Sequence, residues 1–325
     1  RGDTEGVRQL LQRGEDVNVA QGDGMTALHW AGEVGDAEMA EMLIHAGANT
    51  EALTRLGDFT PLYIAAEAGN APVVRVLLQA GANLEVRTSV GGSQPLHAAA
   101  EAGSVDAVAA LLDHGADPNA RQDAWGQTPL MFAASKNRVE ALQLLLDRGA
   151  DPWLTSKVLD LSRRARQDKV AGDVRTRVLD VFRTTAADPV VWNPDPSQVQ
   201  AAVHSARELE EIEEYDASGR VDWEQAQSEG RVPSYADRVG YMGGLTPLLH
   251  AVREGNKEAT RILVAAGANV NQVSDGDYTS PLLMAMVNGH YDLGLELLAA
   301  GADPQLASEA GSTPLYAAIN QRWIP

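Results

Sequence analysis

The sequence predicts an all-α solenoid of helix-turn-helix repeats, with projecting β-hairpin loops and one helical insertion. Three observations support this fold class. A hexapeptide that begins TPLH or with a close variant recurs every 34 or 33 residues, with one interruption between Thr128 and Thr246; a Gly-Ala pair keeps the same spacing; and a further glycine lies between them. A fixed period of this length is typical of stacked supersecondary units. Because one unit cannot bury its own apolar face, we expect neighbouring repeats to stabilise each other.

The hexapeptide has the composition of a helix start. Thr is a good N-cap, since its hydroxyl accepts from an unpaired backbone amide, and Pro next to it costs nothing at the first helical position. Leu and the following Ala then give a short helix with one apolar face. The hexapeptide begins at Thr26, Thr60, Gln94, Thr128, Thr246, Ser280 and Thr313.

The glycines predict where the helices end. A first glycine ends the first helix in a left-handed conformation, and the glycine of Gly-Ala ends a second helix, such as the one predicted over 71–78. Polar residues such as 117–127 then form a hairpin loop to the next repeat. The first glycines are Gly35, Gly69, Gly103, Gly255 and Gly289, with Asn137 in their place once.

The repeats divide the chain into three predicted segments. Residues 1–157 hold half a repeat and four repeats, residues 158–241 are an insertion, and residues 242–325 hold two repeats and a partial one. Both ends fall within a repeat. We therefore expect the full protein to extend both ways, or a partner to cover these ends, since a bare apolar face at a solenoid end impairs solubility.

The insertion is predicted to be helical, with segregated charge. Apolar residues that include Val158, Leu161 and Val174 suggest one or two helices, and Ser197 is a candidate N-cap for another helix. Asp222 is a candidate cap for a further helix that ends at Gly230. The first part is basic, from Arg163 to Arg183, and the second part is acidic, from Glu208 to Asp216. Two interpretations stay open: these helices pair and pack on the side of the solenoid, or they form an arm for a specific partner.

This pattern resembles the ankyrin repeat family over residues 22–157 and 242–308. The resemblance implies a protein-binding module that uses its hairpin tips and the concave face lined by the first helices. Carried over position by position, it marks these candidate partner-binding residues: Trp30, Glu33, Phe59, Ile64, Glu67, Glu101, Trp125, Phe132, His250, Tyr278 and Met284.

These candidates predict the chemistry of the partner. Glu33, Glu67 and Glu101 would form a ladder of carboxylates along three successive repeats. Several of the other candidates are aromatic, in a chain with only 5% aromatic residues, and exposed aromatic residues often anchor interfaces. The expected partner is therefore a protein segment with basic and hydrophobic residues. The alternative is that some of these aromatic residues pack against neighbouring tips or against the inserted helices.

Composition argues against several other functions. A formal net charge of -19 disfavours nucleic acid and anionic membrane surfaces, and no apolar run is long enough for membrane insertion. The chain has no cysteine. We find no metal, phosphate-loop or nucleophile motif, and His29 and His97 fit a structural role in the hexapeptide. The sequence therefore predicts a protein that is not an enzyme and needs no cofactor or metal.

The predicted function is a protein-interaction scaffold. The alternative is a non-catalytic repeat module of a larger enzyme or membrane-associated assembly. The resemblance favours a bacterial periplasmic or secreted protein, with a cytoplasmic location as the alternative. Nothing in the sequence predicts an oligomeric state.

Overall fold

The computed structural model describes residues 3–186, 192–212 and 241–321. Contacts between residues divide the chain into two units. The first comprises Arg1–Lys157 and Gly243–Pro325, and the second is Val158–Met242.

The first unit consists of pairs of short helices, which confirms the predicted all-α repeat fold. The first helices of the pairs are α2 (Ala27–Val34), α4 (Pro61–Glu67), α6 (Pro95–Ala102), α8 (Pro129–Ser135), α12 (Pro247–Arg253), α14 (Pro281–Val287) and α16 (Pro314–Gln321). The second helices are α1 (Thr4–Gln12), α3 (Ala37–His45), α5 (Ala71–Gln79), α7 (Val105–Asp113), α9 (Val139–Asp147), α13 (Lys257–Ala265) and α15 (Tyr291–Ala299).

Most first helices begin at capped residues, as the hexapeptide predicts. Thr128, before α8, is an exception, because its buried hydroxyl has no hydrogen-bond partner among the described residues. The side chains of Thr60, Thr246 and Ser280 each accept a hydrogen bond from the backbone amide three residues later. Thr26 uses a different partner: its backbone amide donates to Nδ1 of His29, over 3.1 Å. In each case an amide that the helix leaves unpaired gains an acceptor.

The first helices end in left-handed backbone at the predicted glycines, whose φ angles lie between 72° and 81°. Asn137 takes the same conformation, with φ 53°. Asn tolerates left-handed backbone better than most residues that have a side chain, which explains the substitution.

Donor side chains connect each repeat to the one before it. They belong to the residue that precedes a second helix, and they donate to carbonyls near the end of the previous first helix. Asn70 Nδ2 lies 2.7 Å from the oxygen of Gly32, and Ser104 Oγ lies 2.9 Å from that of Gly69. Arg138, Asn256 and His290 make the corresponding bonds to Glu101, Ala134 and Arg253.

Backbone hydrogen bonds also join the hairpin tips of successive repeats. The amide of Arg55 donates to the carbonyl of Asp23, and Ser89 donates to Gly57 in the same way. The pattern continues through the following pairs: Asp123 to Gly91, Lys157 to Trp125, Asp275 to Gly244 and Glu309 to Asp277. The hairpins therefore form a ladder along the first unit.

The long insertion replaces one hairpin tip. Two hydrogen bonds close this hairpin: the amide of Ser156 donates to the carbonyl of Leu245, and the amide of Leu245 donates to the hydroxyl of Ser156. Thr54 and Phe59 make the same two bonds in a short hairpin. Residues 157–244 therefore stand where another hairpin has only 55–58. The repeats on either side remain in contact, since Asn256 bonds to the carbonyls of Ala134 and Ser135.

The second unit contains a two-stranded sheet of β1 (Val158–Asp160) and β2 (Tyr241–Gly243), and two helices, α10 (Leu161–Thr185) and α11 (Pro196–Ile212). The helices pack through small and branched side chains, among them Ala171, Val174 and Ala206. Two details differ from the sequence prediction. Val158 lies in a strand, and Asp195 rather than Ser197 caps α11, because its carboxylate accepts from the amides of residues 197 and 198. Glu213, Glu214, Asp216 and the predicted helix over 222–230 lie outside the described residues.

Three buried histidines make the first unit sensitive to acid. Burial lowers the pKa of His97 to about 4 and that of His250 to about 3, and it lowers the pKa of His29 below its ordinary value of 6.5. The folded state thus binds these protons less tightly than the unfolded chain does. Their contribution to stability is complete above pH 6.5 and is lost as the pH falls towards the folded-state pKa values.

We predict that lowering the pH from 7.5 to 5 destabilises the first unit, by about 1 to 2 kcal/mol for each of His97 and His250. The measurement is the urea midpoint followed by circular dichroism at both pH values. His250→Met, which introduces the residue found at the matching position 284, should weaken the pH dependence. An identical pH profile in this variant would contradict the assignment.

We further predict that residues 157–244 can be replaced by the four-residue turn of residues 55–58 without loss of the repeat fold. The hairpin-closing bonds of Ser156 and Leu245 and the bond from Asn256 to Ala134 lie outside the deleted segment, and the backbone of the replacement turn can take over the ladder bonds that Lys157 and Gly244 make. A cooperative thermal transition and a retained helical signal are expected. Aggregation or loss of cooperativity would show that the insertion is needed for folding.

Candidate protein-binding surface

The carboxylates predicted to form a ladder lie on successive first helices. Glu33 and Glu67 are exposed, and Glu101 is partly exposed. Their charges interact: the pKa of Glu67 is raised first by burial and then by the charges of Glu33 and Glu101. The pKa of Tyr63 is raised to about 12 by burial and by Glu67 and Glu101. The structure therefore brings the three carboxylates into one electrostatic cluster.

A lysine of the same chain marks one end of the ladder. Lys136, in the fourth repeat, places Nζ 3.2 Å from Oε1 of Glu101. Among the described residues, Glu33 and Glu67 form no ion pair. Along the ladder, Glu33 and Glu67 therefore have no positive partner among the described residues, whereas the charge of Glu101 is balanced by Lys136.

The residues that follow the histidine position of the hexapeptide behave differently from the prediction. Ile64 and His250 are only 6% and 2% exposed, so they do not present their side chains to a partner. This is a correction with a simple cause: the side chains at this position are used for packing within the stack. Phe132 shows the same use, since its ring packs edge-on against that of His97, with centroids 5.6 Å apart. Met284 is likewise partly buried against the core.

Trp30 differs from the other residues at this position because it stays 39% exposed. It lines a cavity of about 440 Å³ between α1 and α2. Within the described residues, no first helix precedes α1.

The buried His250 has an incomplete set of hydrogen bonds. Its Nε2 lies 3.4 Å from Nε2 of Gln127, and its Nδ1 has no hydrogen-bond partner among the described residues. Burial, followed by the nearby charge of Arg253, explains its lowered pKa. His250 is neutral and internal, which suits packing and not catalysis at neutral pH.

Hairpin tips carry exposed apolar side chains. Trp125 and Tyr278, both predicted, are about half exposed, at 50% and 52%. Phe59 is only partly exposed, because its ring stacks on Tyr63 with centroids 5.0 Å apart. The prediction missed Leu56 and Val90, which are 81% and 70% exposed. Their signal in the sequence is a branched apolar residue directly before the tip glycine of a hairpin.

Within residues 3–186, 192–212 and 241–321, no group of three or more histidine or acidic side chains is arranged to hold a metal ion. The described helices also include none that is long and apolar enough to cross a membrane.

We predict that Glu67→Gln raises the free energy of unfolding at pH 7, by about 0.5 kcal/mol at low salt, because it removes the repulsion between Glu67 and the carboxylates of Glu33 and Glu101. The gain should shrink in 0.5 M NaCl, since salt screens these charges. The measurement is the denaturant midpoint at both salt concentrations. Glu258→Gln is a matched control, because Glu258 pairs with Arg261 and its neutralisation should not stabilise the protein. A destabilised Glu67→Gln variant would contradict the prediction.

Comparison with known proteins identifies relatives of the repeats. A family model described as ankyrin repeats (3 copies) matches residues 1–88, 85–156, 232–308 and 248–324. The B-cell lymphoma 3 protein homolog of Mus musculus is 33% identical over 181 residues, which is 53% of this chain and 37% of the relative. Protein phosphatase 1 regulatory subunit 27 of Mus musculus is 37% identical over 71 residues, or 22% of this chain and 46% of the relative.

A putative ankyrin repeat-containing protein of Treponema pallidum is 41% identical over 78 residues, which is 24% of this chain and 26% of the relative. The chain thus spans less than half the length of each of these curated relatives. Because they come from a bacterium and from a mammal, a bacterial source stays a prediction.

A solved structure agrees with the fold. The crystal structure of the ankyrin repeat domain of Bcl-3, whose description calls it a unique member of the IkappaB protein family, superposes with a TM-score of 0.56. The two chains share 24% identity, and the match covers 91% of this chain and 94% of that one. The family model and the repeat geometry agree, and the chain therefore belongs to the ankyrin repeat family, whose domains generally mediate protein–protein interactions.

Proposed function

We propose that this chain is a non-catalytic scaffold that binds a partner protein through the concave face and the hairpin tips. The observation that carries this proposal is the ladder of Glu33, Glu67 and Glu101 on successive repeats, two of whose carboxylates form no ion pair among the described residues. Its partner is a protein segment with basic and hydrophobic residues.

Electrostatics supports a basic partner. Neighbouring carboxylates gain free energy when a cation approaches, because the repulsion between them is replaced by attraction. Lys136 already makes this contact with Glu101 inside the chain. An incoming lysine or arginine at Glu67 and Glu33 would extend the same arrangement.

The hairpin tips supply the hydrophobic part of the surface. Leu56, Val90 and Trp125 lie on three successive hairpins that are joined by the backbone ladder, and each side chain is at least half exposed. Exposed apolar side chains of this kind are common at interfaces, where a few of them carry most of the binding energy.

A second candidate function is a non-catalytic repeat module within a larger enzyme or membrane-associated assembly. One observation favours it: a relative is named as a regulatory subunit of a protein phosphatase, and the chain covers less than half of that relative. In this case the partner surface serves a subunit or domain of the same assembly.

The test is an affinity pull-down from the source organism, with the whole chain as bait and mass spectrometry as readout. We predict that Glu33→Gln/Glu67→Gln/Glu101→Gln weakens capture of the dominant partner at least about tenfold, as expected when desolvated charge pairs are lost. Leu56→Ser/Trp125→Ser should weaken it independently.

Asp106→Asn/Asp113→Asn removes acidic side chains from a second helix and serves as the control. A partner captured equally by wild type and both surface variants would contradict the proposed surface. A native complex in which the chain always copurifies with one enzyme would favour the second function.

A further inference from the structure

The contact between the fourth and fifth repeats, which begin at Thr128 and Thr246, contains buried polar atoms without partners. Within the part of the chain that the structure describes, three buried side-chain atoms have no hydrogen-bond partner: Oγ1 of Thr128, Nδ1 of His250 and Oγ1 of Thr260. All three belong to these two repeats, whose first helices are α8 and α12. Because a buried polar atom without a partner is unfavourable, this junction is a weak point of the stack.

His250 faces the start of the fourth repeat with both ring nitrogens poorly matched. Its Nε2 lies 3.4 Å from Nε2 of Gln127, an amide nitrogen that donates and does not accept. A neutral imidazole can accept this hydrogen bond, whereas a protonated one carries N–H groups on both nitrogens. Neither N–H would then meet an acceptor among the described residues. The packed junction therefore accommodates only the neutral ring.

The other two buried histidines of the first helices differ in this respect. Nε2 of His97 lies 3.0 Å and 3.2 Å from the carbonyl oxygens of Ala120 and Gln127. Nε2 of His29 lies 3.0 Å from the carbonyl oxygen of Phe59. A carbonyl accepts equally from a neutral or a protonated ring, so these bonds survive protonation. His250 is thus the histidine whose protonation its surroundings tolerate least.

The described elements around His250 provide no carboxylate beside it. The flanking first helices α8 and α14 contain no ionisable side chain, and His290, after α14, bonds to the carbonyl of Arg253. Burial, and then the like charge of Arg253, lowers the pKa of His250 to about 3. The other charged side chains around α12 form ion pairs of their own at the surface: Lys136, Glu254, Lys257, Glu258 and Arg261.

The loop edge of the same junction lacks a bridge that other junctions have. Asn18, Asn119 and Asn271 each donate to the carbonyl of the glycine after the next second helix and accept from an amide two residues further on. Trp153 occupies this position between the fourth and fifth repeats, and it is 50% exposed. Its indole has one donor and no acceptor, so it cannot form the bridge. A bond from the side chain of Gln272 to the carbonyl of Trp153 remains at this edge.

The turn edge of the junction, between first and second helices, is well bonded. Asn256 Nδ2 lies 2.9 Å from the carbonyl oxygens of both Ala134 and Ser135. Asn137 Oδ1 accepts from the amide of Ala259 over 3.2 Å. None of these groups is ionisable, so the bonds persist in acid and can act as a pivot.

We propose that the junction between the fourth and fifth repeats is an acid-sensitive hinge, at which α12 parts from α8 when His250 gains a proton. The repeats on either side stay folded, and the bonds of Asn137 and Asn256 keep them attached at the turn edge. This inference does not depend on the proposed function. If that function holds, the hinge regulates it, because the acidic ladder lies before the junction and Tyr278 lies after it.

The test uses thiol labelling of the whole chain, which has no cysteine of its own. Thr128→Cys places a buried thiol at the junction, where the hydroxyl that it replaces has no partner to lose. Val74→Cys, fully buried in α5, is the matched control inside the repeats before the junction. Labelling rates with a dipyridyl disulfide are measured at pH 7.5 and 5.5. Each is divided by the rate of the urea-unfolded chain at the same pH, which removes the pH dependence of the thiol itself.

We predict that the normalised rate at position 128 rises about tenfold from pH 7.5 to 5.5, because the closed junction binds the proton less tightly than the open one, where His250 has its ordinary pKa. The rate at position 74 should not change. His250→Met should abolish the rise at position 128. Gln127→Glu should abolish it as well, since a carboxylate facing Nε2 gives the protonated ring an acceptor inside the closed junction. Thermal melting at pH 7.5 verifies that each variant is folded.

Three outcomes would overturn the proposal. An equal rise at position 74 would show general unfolding in acid instead of a hinge. A rise that persists in His250→Met would assign the acid response to another group, and a constant rate in the wild-type background would show that the junction stays closed. None of these rates involves a partner, so the hinge and the proposed function fail separately.

Discussion

The stacking of each first helix between its neighbours is the interaction on which the rest of the structure depends. Leu28, Leu62 and Leu130 are fully buried at the third position of the hexapeptide. Leu315 occupies the same position in α16, yet it is 68% exposed, and no second helix follows α16 within the described residues. The same local sequence thus buries its leucine only where a neighbour is present. Burial of such a side chain stabilises by about 1.5 to 3 kcal/mol, so the array is stable only as a stack.

Polar contacts fix the register of that stack without competing for the core. The side chains of Asn70, Ser104 and Asn256 donate to carbonyls at the ends of the first helices. Backbone hydrogen bonds join the tips of neighbouring hairpins. Because these groups would otherwise be left without partners, the hydrogen bonds define how one repeat sits on the next. They also explain how the array tolerates a long insertion. The hairpin of Ser156 and Leu245 closes with the same bonds as a short hairpin, so the added segment extends from its tip.

The stacking of repeats also determines which side chains of a first helix are buried and which are exposed. Side chains that project between repeats, such as Ile64, Phe132 and His250, become part of the interior, whereas Glu33 and Glu67 remain at the surface because they lie one turn further along the helix. The carboxylates therefore recur at the spacing of the repeats, about 8 to 10 Å for packed helices. The function proposed above therefore calls for an extended partner whose positive charges recur at a similar spacing.

The sequence by itself determined the repeat, its period, the caps and the turns. Thr60 and Gly69 act through hydrogen bonds and backbone conformations that involve only their own neighbours in the chain, so their roles follow from the order of residues. The expected positions of the insertion and of the three glutamates also follow from counting along the period.

Only the tertiary structure decided which candidate residues are accessible. His250 and Trp30 occupy the same position in the repeat, but one is buried between repeats and the other lines an open cavity. Leu56 and Val90 were missed for a related reason. Branched apolar residues are usually buried, and only the structure shows that these two are exposed on hairpins. The burial of a side chain depends on its contacts with residues about one repeat away in the chain. A sequence pattern within one repeat therefore does not predict it.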